Sequence, residues 1–159
     1  MNIYVLKLNG GKYYIGKSSN VTKRYEQHLQ GNVSWTSKHK PEYIEKVLPA
    51  SSPFDEDKIT KEYMNIYGID NVRGGSYVTV ILDDSQRNNL QKEIWSANGA
   101  CLRCGRNSHF INDCYANTDI HGNELKNRIS CFYCGKKGHC AYDCSETSDT
   151  DTDNSWETN

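Results

Sequence analysis

The chain has 159 residues, of which 25% are charged and 36% are hydrophobic, and its formal net charge is −1. These values exclude a membrane-spanning protein, since no segment reaches the length of a transmembrane helix, and residues 1–8 lack the apolar run of a signal peptide. We therefore expect an intracellular protein, in the cytoplasm or nucleus, that is not secreted and has no membrane partner.

The first predicted elements are a β-hairpin and a helix. Apolar residues alternate through residues 3–8, and the turn Asn9-Gly10-Gly11 separates them from a second such segment at residues 13–16. This pattern with a glycine turn predicts two antiparallel strands. Asn20 can then cap a helix that ends near Gly31.

The rest of residues 1–97 alternates strands with helices. Residues 43–47 indicate a strand, and Ser52-Pro53 indicates the start of a helix that stops before Gly68. Residues 77–82 indicate a further strand, and residues 84–97 a third helix with Leu90, Ile94 and Trp95 facing inward. We predict an α+β domain in which an antiparallel sheet opens the chain and helices flank it.

Three polar side chains interrupt this pattern. Glu62 shares the stripe of Ile59 and Ile66 that is expected to face the core, although acids on such a stripe usually reach water at its edge. Arg24 and His28 are four residues apart and project from one helix face, for which a solvated basic face is the alternative. With the hairpin tyrosines, they offer a carboxylate for a metal, a guanidinium for a phosphate and phenols for proton transfer.

The hairpin carries a paired signature, in which Asn2-Ile3-Tyr4 is followed after nine residues by Tyr14-Ile15-Gly16. This pair resembles the signature of GIY-YIG nucleases, a family that includes phage homing endonucleases and structure-selective resolvases. The residues that follow in the family's order are Arg24, His28, Glu62 and Asn71. The resemblance covers about residues 2–75 and departs from the family where Asn2 replaces the first glycine.

The resemblance implies hydrolysis of phosphodiester bonds with one Mg²⁺ or Mn²⁺ ion. Glu62 would hold the ion, while Arg24 would bind the scissile phosphate and stabilise charge on its oxygens. Tyr4, with Tyr14 beside it, would take the proton of the attacking water. Which of the two phenols does so stays open at this point.

Further residues have supporting roles in this interpretation. Lys17 is a nearby cation that would favour the phenolate and contact the substrate. His28 would orient a tyrosine or a phosphate, and Asn71 would position backbone or substrate near the acid. Tyr13 points to the opposite face of its strand from Tyr14, so we assign it to packing.

Two copies of the spacing Cys-x2-Cys-x4-His-x4-Cys follow this domain. Three thiolates and one imidazole suit a closed tetrahedral Zn²⁺ site, whereas a disulfide framework leaves the repeated histidine unexplained. Of seven cysteines, Cys140 alone lies outside the two quartets. We predict two structural Zn²⁺ ions, the first held by Cys101, Cys104, His109 and Cys114, and the second by Cys131, Cys134, His139 and Cys144.

The quartets resemble the CCHC zinc knuckles of retroviral nucleocapsid and cellular RNA-binding proteins. The resemblance implies a platform for unpaired bases, formed by Leu102 and Phe110 in the first knuckle and by Phe132 in the second, where Cys140 replaces the usual aromatic. The basic residues that could meet phosphates are Arg103, Arg106, Lys136 and Lys137. A pair of zinc-stapled modules for protein contacts is the alternative.

Charge is unevenly distributed along the chain. Residues 1–46 contain eight Lys and Arg against three Asp and Glu, whereas residues 145–159 contain five acids and no Lys or Arg. A basic front suits a bound polyanion, and the polar acidic end is expected to be disordered. We therefore predict a GIY-YIG-like domain (1–97), a first knuckle (98–115), a linker (116–130), a second knuckle (131–144) and an acidic tail (145–159), an arrangement that resembles small proteins of large DNA viruses.

Two functions are compatible with these residues. A metal-dependent endonuclease would hydrolyse DNA while its knuckles bind nucleic acid, with single-stranded DNA or RNA as further candidates. Alternatively, a degenerate nuclease domain would serve as the scaffold of a non-catalytic, zinc-dependent nucleic-acid-binding protein. The oligomeric state does not follow from the sequence.

Overall fold

The computed structural model of the protein describes residues 1–125, 133–136 and 144. The chain divides into two units, Met1–Ala97 and Asn98–Asn159. The first unit, which is described throughout, contains four strands and four α-helices. The strands are β1 (Asn2–Leu8), β2 (Lys12–Ser18), β3 (Pro41–Pro49) and β4 (Val72–Gly74), and the helices are α1 (Val21–Leu29), α2 (Ser34–Lys38), α3 (Asp55–Tyr67) and α4 (Asp84–Ala97).

The four strands form one mixed sheet in the order β3-β1-β2-β4. β1 pairs antiparallel with β2 and with β3, while β4 runs parallel to β2. Gly10 and Gly11 join the first two strands with φ angles of 75° and 71°, which confirms the predicted glycine turn. The α+β class is confirmed, and the parallel edge strand is a feature that the sequence did not predict.

The strand predicted for residues 77–82 is wrong, because this segment is a loop. The fourth strand is instead β4, which precedes the loop and has three residues. The side chain of Arg73, 3% exposed, donates hydrogen bonds to the carbonyl oxygens of Thr79 and Val80 at 2.7 and 3.0 Å. These carbonyls are therefore satisfied by a guanidinium rather than by a neighbouring strand. By contrast, α4 begins and ends at the predicted residues.

Alternation along the strands sorts the core into two clusters on opposite faces of the sheet. One cluster joins Ile3, Val5 and Tyr13 to residues of α3 and α4. The other cluster joins Tyr4 and Tyr14 to Trp35 of α2 and to further residues of β1, α1 and β3. We call the sheet face that carries Tyr4 and Tyr14 the tyrosine face. The prediction that Tyr13 packs on the opposite side is confirmed.

In the second unit, the residues before 126 contain a short 3-10 helix, Ile111–Asp113, and an isolated β-bridge between Thr118 and Glu124. None of the helices in the described part of the chain has both the length and the hydropathy that crossing a bilayer requires.

Candidate active site and zinc centre

Tyr4 occupies the middle of β1, and its side chain is 1% exposed. Its cross-strand neighbour Gly16 makes room for the phenol, because a Cβ atom at this position would lie 2.2 Å from the Tyr4 hydroxyl oxygen. The last glycine of the paired signature is thus required by the position of Tyr4. At the one departure from the signature, Asn2 begins β1 without a positive φ, so replacing the family's first glycine introduces no backbone strain there.

His28 of α1 forms a buried group with the two phenols. Its Nε2 atom lies 2.9 Å from the Tyr4 hydroxyl oxygen, and its ring centroid lies 4.6 Å from that of Tyr14. Its Nδ1 atom lies 3.0 Å from the hydroxyl of Thr36 in α2. Burial, and secondly the charge of Arg24, lower the pKa of His28 to about 4, so the imidazole is neutral at physiological pH.

Arg24 lies one helical turn before His28 and faces the phenols. The neighbouring Tyr4 hydroxyl raises the pKa of the guanidinium, and Tyr14 acts in the same direction. Nη1 of Arg24 donates a hydrogen bond to the side-chain oxygen of Gln27 at 2.8 Å. Burial raises the pKa of Tyr4 to about 12 and also raises that of Tyr14, although Arg24 opposes the shift in both. Both phenols are therefore protonated in the resting protein. The structure thus brings together four of the predicted catalytic side chains, those of Tyr4, Tyr14, Arg24 and His28.

The carboxylate whose charge acts on this group is that of Glu56, in the first turn of α3, a residue that was not predicted from the sequence. Its charge acts on both Tyr4 and Tyr14, and Arg24 acts on it in turn. Burial raises the pKa of Glu56, while the donated backbone N–H of Gly75 and the charge of Lys17 lower it. The predicted placement of Lys17 at the site is therefore consistent with the structure.

Gly75 reaches Glu56 through a turn that only glycine fits. Its φ angle is 53°, and a Cβ atom at this position would lie 1.9 Å from an oxygen of Asp57. The Asp57 carboxylate accepts hydrogen bonds from the backbone N–H and the hydroxyl of Ser76 at 2.7 and 2.8 Å. The turn after β4 is thus fixed on the first turn of α3, where it presents its amide to the acid.

The expected placement of Glu62 beside the phenols is wrong. Glu62 is exposed and lines a groove of about 480 Å³ between α3 and α4, together with Lys58, Lys61 and Glu93. Glu62 lies six positions after Glu56 in the helix and therefore points about 120° away from it around the helix axis. The buried residues of α3 are Thr60 and Met64, so the inward face includes Glu56 rather than Glu62.

Asn71 lies just after α3 and contacts the main chain at the end of that helix. Its side chain accepts a hydrogen bond from Lys12 Nζ at 2.5 Å and donates one to the carbonyl oxygen of Tyr67 at 2.6 Å. These bonds close the C-terminal end of α3, about 17 Å along the helix from Glu56 at about 1.5 Å per residue. Asn71 therefore positions backbone at the end of the helix that carries Glu62, which is one of its two predicted roles. Its contact with substrate stays a prediction.

Glu56 fits a hydrated divalent cation. Within the described residues, the one cluster of three or more metal-ligating side chains lies in the second unit, and the neighbouring Asp57 is engaged by Ser76. Mg²⁺ commonly binds through one or two carboxylates and keeps several waters, so a single carboxylate is sufficient for it. A cation stripped of water would require more oxygen ligands than Glu56 provides.

The first cysteine quartet forms a metal site. The ligand atoms of Cys101, Cys104, His109 and Cys114 all lie within 4.8 Å of one another, and the three cysteines are fully buried. The N–H of Gly105, at a φ angle of 77°, donates to the carbonyl oxygen of Cys101 at 2.8 Å and closes the turn. Three sulfurs and one imidazole in this arrangement are a complete ligand set for tetrahedral Zn²⁺.

The residues after this quartet do not begin a free linker, although the sequence predicted one for residues 116–130. Ala116 and Leu125 pack against the buried cysteines. Arg103 donates to the carbonyl oxygen of Ala116 at 2.8 Å, and Arg106 donates to that of Thr118 at 2.6 Å. Both guanidiniums, which the sequence predicted to meet phosphates, thus hold residues 116–118 on the knuckle.

The predicted platform for bases is exposed. Leu102 is 37% exposed and Phe110 is 72% exposed. Tyr115, directly after the last ligand, is 71% exposed and was not predicted. Only its aromatic side chain could have indicated that Tyr115 belongs to the platform, since the Cys-x2-Cys-x4-His-x4-Cys spacing ends one residue earlier.

Two of the four ligands of the second quartet fall outside the described residues. Cys134, Lys136 and Cys144 belong to the described ranges. The residues that lie outside them are Cys131, Phe132, Lys137, His139 and Cys140, together with the predicted tail at 145–159. The second Zn²⁺ site and its platform therefore stay predictions.

Comparison with known proteins gives two family matches. Residues 1–67 match the GIY-YIG catalytic domain, and residues 97–128 match the GAG-polyprotein viral zinc-finger. No curated protein and no solved structure matches the chain. The first match includes the group of Tyr4, Tyr14, Arg24, His28 and Glu56, and the second includes all four ligands of the zinc site. The chain therefore carries a GIY-YIG nuclease domain followed by a CCHC zinc finger of the Gag type.

Proposed function

We propose that this protein is a metal-dependent endonuclease that hydrolyses phosphodiester bonds in DNA. The observation that supports the proposal is the grouping of Tyr4, Tyr14, Arg24, His28 and Glu56, which come from two strands and two helices. Phosphodiester hydrolysis needs a base for water, a cation for the phosphate and a site for a divalent metal ion. The tyrosines with His28 provide the base, Arg24 provides the cation, and Glu56 provides the site for the metal ion.

Tyr4 is the better base of the two phenols, because its hydroxyl has a proton acceptor within reach. That acceptor is Nε2 of the neutral His28, at 2.9 Å. Since the pKa of Tyr4 is about 12, it meets the substrate as a phenol and must release its own proton when it takes one from water. Tyr14, which packs beside His28, helps to keep the pair out of bulk solvent.

Arg24 and Glu56 act on the phosphate side of this reaction. The Arg24 guanidinium can bind two phosphate oxygens and stabilise the negative charge that grows on them as water attacks. Glu56, with the amide of Gly75 behind it, would hold Mg²⁺ or Mn²⁺. When bound, this ion would supply Lewis-acid stabilisation of the phosphate and of the attacking water.

The zinc finger provides the second part of the proposal, which is nucleic-acid binding. Leu102 and Phe110 offer exposed apolar surface on which unpaired bases can stack. Arg103 and Arg106 hold the fold of the finger, so we assign phosphate binding mainly to the basic residues of 1–46. We also propose that residues 131–144 hold a second Zn²⁺, because their ligand spacing repeats that of the first site.

A cleavage panel tests the proposal. Zinc-loaded full-length protein is incubated with plain, nicked and branched DNA duplexes and with single-stranded RNA, in Mg²⁺, in Mn²⁺ and in neither. We expect metal-dependent cleavage of at least one DNA substrate. Binding in a band-shift assay without cleavage under any of these conditions would support the alternative, a non-catalytic zinc-dependent nucleic-acid-binding protein.

A further inference from the structure

A short chain of hydrogen bonds leads from Tyr4 into the protein. The Tyr4 hydroxyl lies 2.9 Å from Nε2 of His28, and Nδ1 of His28 lies 3.0 Å from Oγ1 of Thr36. The Thr36 hydroxyl in turn lies 3.2 Å from the carbonyl oxygen of Val33. Tyr4 is 1% exposed, and His28 and Thr36 are 0% exposed. Each polar atom in the chain therefore depends on these partners rather than on solvent.

One direction of donation gives every hydrogen in the chain a partner. A neutral imidazole carries one N–H, and each hydroxyl carries one proton. If the imidazole donates from Nδ1 to Thr36, the Thr36 hydroxyl is free to donate to Val33. Nε2 then has a lone pair that accepts the proton of the Tyr4 hydroxyl. The phenol oxygen in turn faces Arg24, whose guanidinium has donors only and donates to Gln27 at 2.8 Å.

The opposite direction leaves one proton without a partner among these groups. If Thr36 donated to Nδ1, then Nε2–H would point at the Tyr4 oxygen. That oxygen already faces the donors of Arg24. The phenol proton would lose its acceptor at a buried position, which is unfavourable.

We infer that Thr36 is a positioning residue whose hydroxyl holds His28 in the Nδ1–H tautomer, so that the Nε2 lone pair receives the proton of Tyr4. The inference rests on the proposed function, since it concerns the proton that Tyr4 takes from water. As water attacks, its oxygen forms the new bond to phosphorus and its proton passes to the Tyr4 oxygen. The phenol proton moves to Nε2. The leaving oxygen departs with the electron pair of the broken P–O bond and is protonated by solvent.

A pair of Thr36 variants separates this role from simple packing. Thr36→Val keeps the shape of the side chain but removes the acceptor, so the imidazole is expected to change to the Nε2–H tautomer and donate to Tyr4. Because Nε2 then no longer accepts a proton, kcat should fall roughly 10- to 100-fold with little change in KM. Thr36→Ser retains the hydroxyl and should restore both the tautomer and kcat.

The tautomer is measured directly by ¹⁵N NMR of the His28 side chain in the full-length, zinc-loaded protein without Mg²⁺, with His28→Gln as the assignment control. We expect Nδ1–H in the wild type and in Thr36→Ser, and Nε2–H in Thr36→Val. A wild-type Nε2–H tautomer overturns the inference. So does a Thr36→Val protein that keeps both the Nδ1–H tautomer and a kcat within about twofold of wild type.

Two further outcomes are also decisive. If Thr36→Val does not fold, the wild-type tautomer and the kcat of Thr36→Ser decide the question, and a folded, inactive serine variant contradicts the inference. If the wild type cuts no substrate, the proposed function fails, and the catalytic part of the inference fails with it. The NMR measurement still decides whether Thr36 sets the tautomer, because it needs no cleavage.

Discussion

In the first unit the reacting groups lie on a core of packed side chains, whereas in the second unit the buried core consists mainly of metal ligands. Tyr4 and Tyr14 belong to a cluster with Trp35 and two leucines. The cluster of the finger is Cys101, Cys104 and Cys114, with Ala116 and Leu125 against them. One site is therefore preorganised by the hydrophobic effect, and the other depends on the coordination of an ion.

This comparison predicts that removing zinc affects the two units unequally, which is the largest effect we expect. Zn²⁺ contributes about 10–16 kcal/mol to folding in zinc-finger peptides. Cys101→Ser should therefore unfold the finger while leaving the thermal transition of residues 1–97 in place. Differential scanning calorimetry and zinc titration would measure both. If the Cys101→Ser protein also lost the thermal transition of residues 1–97, the two units would have to fold together.

The second prediction concerns the two acids of α3. Glu56→Gln should lower kcat about 100- to 1000-fold, or about 2.7–4 kcal/mol, because a charge that supports the transition state is removed. Glu62→Gln makes the same chemical change on the exposed side of the helix and should leave kcat unchanged. Single-turnover cleavage by both variants measures this. An equal loss of kcat in both variants, or a loss in Glu62→Gln alone, would contradict the assignment of the metal to Glu56.

The third prediction uses the buried imidazole of the first unit. The pKa of His28 is about 4 in the folded protein and about 6.5 in an unfolded chain. The unfolded state therefore binds the proton first as pH falls, and folding loses stability between about pH 6.5 and pH 4 by up to about 3 kcal/mol. Above pH 6.5 this contribution is fully present.

Urea unfolding followed by tryptophan fluorescence, to which the buried Trp35 and Trp95 of the first unit contribute, can test this pH dependence. The difference in unfolding free energy between wild type and His28→Gln should shrink across that pH window, since the glutamine does not titrate. Parallel curves for the two proteins would contradict the prediction.

The smallest effect is expected at the surface of the finger. Phe110→Ala should weaken binding of single-stranded nucleic acid by about 1 kcal/mol, or about fivefold in Kd, the low end of the range for base–aromatic stacking. Phe54→Ala is the matched control, because Phe54 of the first unit is 76% exposed and Phe110 is 72% exposed. Fluorescence anisotropy would compare them. Equal weakening by both variants would argue against a dedicated platform on the finger.

The elements that the sequence predicted well are those with strong local signals. The hairpin follows from alternation and a glycine turn, and α4 follows from its apolar spacing. The three-residue β4 is too short to show alternation, so the apolar run after it was taken for the strand. The fold of residues 116–118 depends on arginine bonds to carbonyl oxygens, and these leave no pattern in the sequence.

The choice between Glu56 and Glu62 was decided by helix rotation. The prediction placed the inward stripe of α3 on Ile59 and Ile66, but Ile66 is 68% exposed. The fully buried positions are the small polar Thr60 and the flexible Met64. A threonine carries little hydrophobic signal, so the inward face appeared rotated and included the wrong acid. Tertiary packing set the rotation, and no local rule revealed it.

Arg73 has a consequence for genetics. Besides its bonds to the loop of residues 77–82, it donates to the carbonyl oxygens of Ile69 and Val72, and its guanidinium lies 4.6 Å from the Trp35 ring centroid. A mutational scan would score this position as essential, although it touches no reacting group, because the anchored loop starts at the turn that supports Glu56. Substitutions of Arg73 would inactivate the protein by displacing this loop and the turn before it, and not by removing a group that takes part in the reaction.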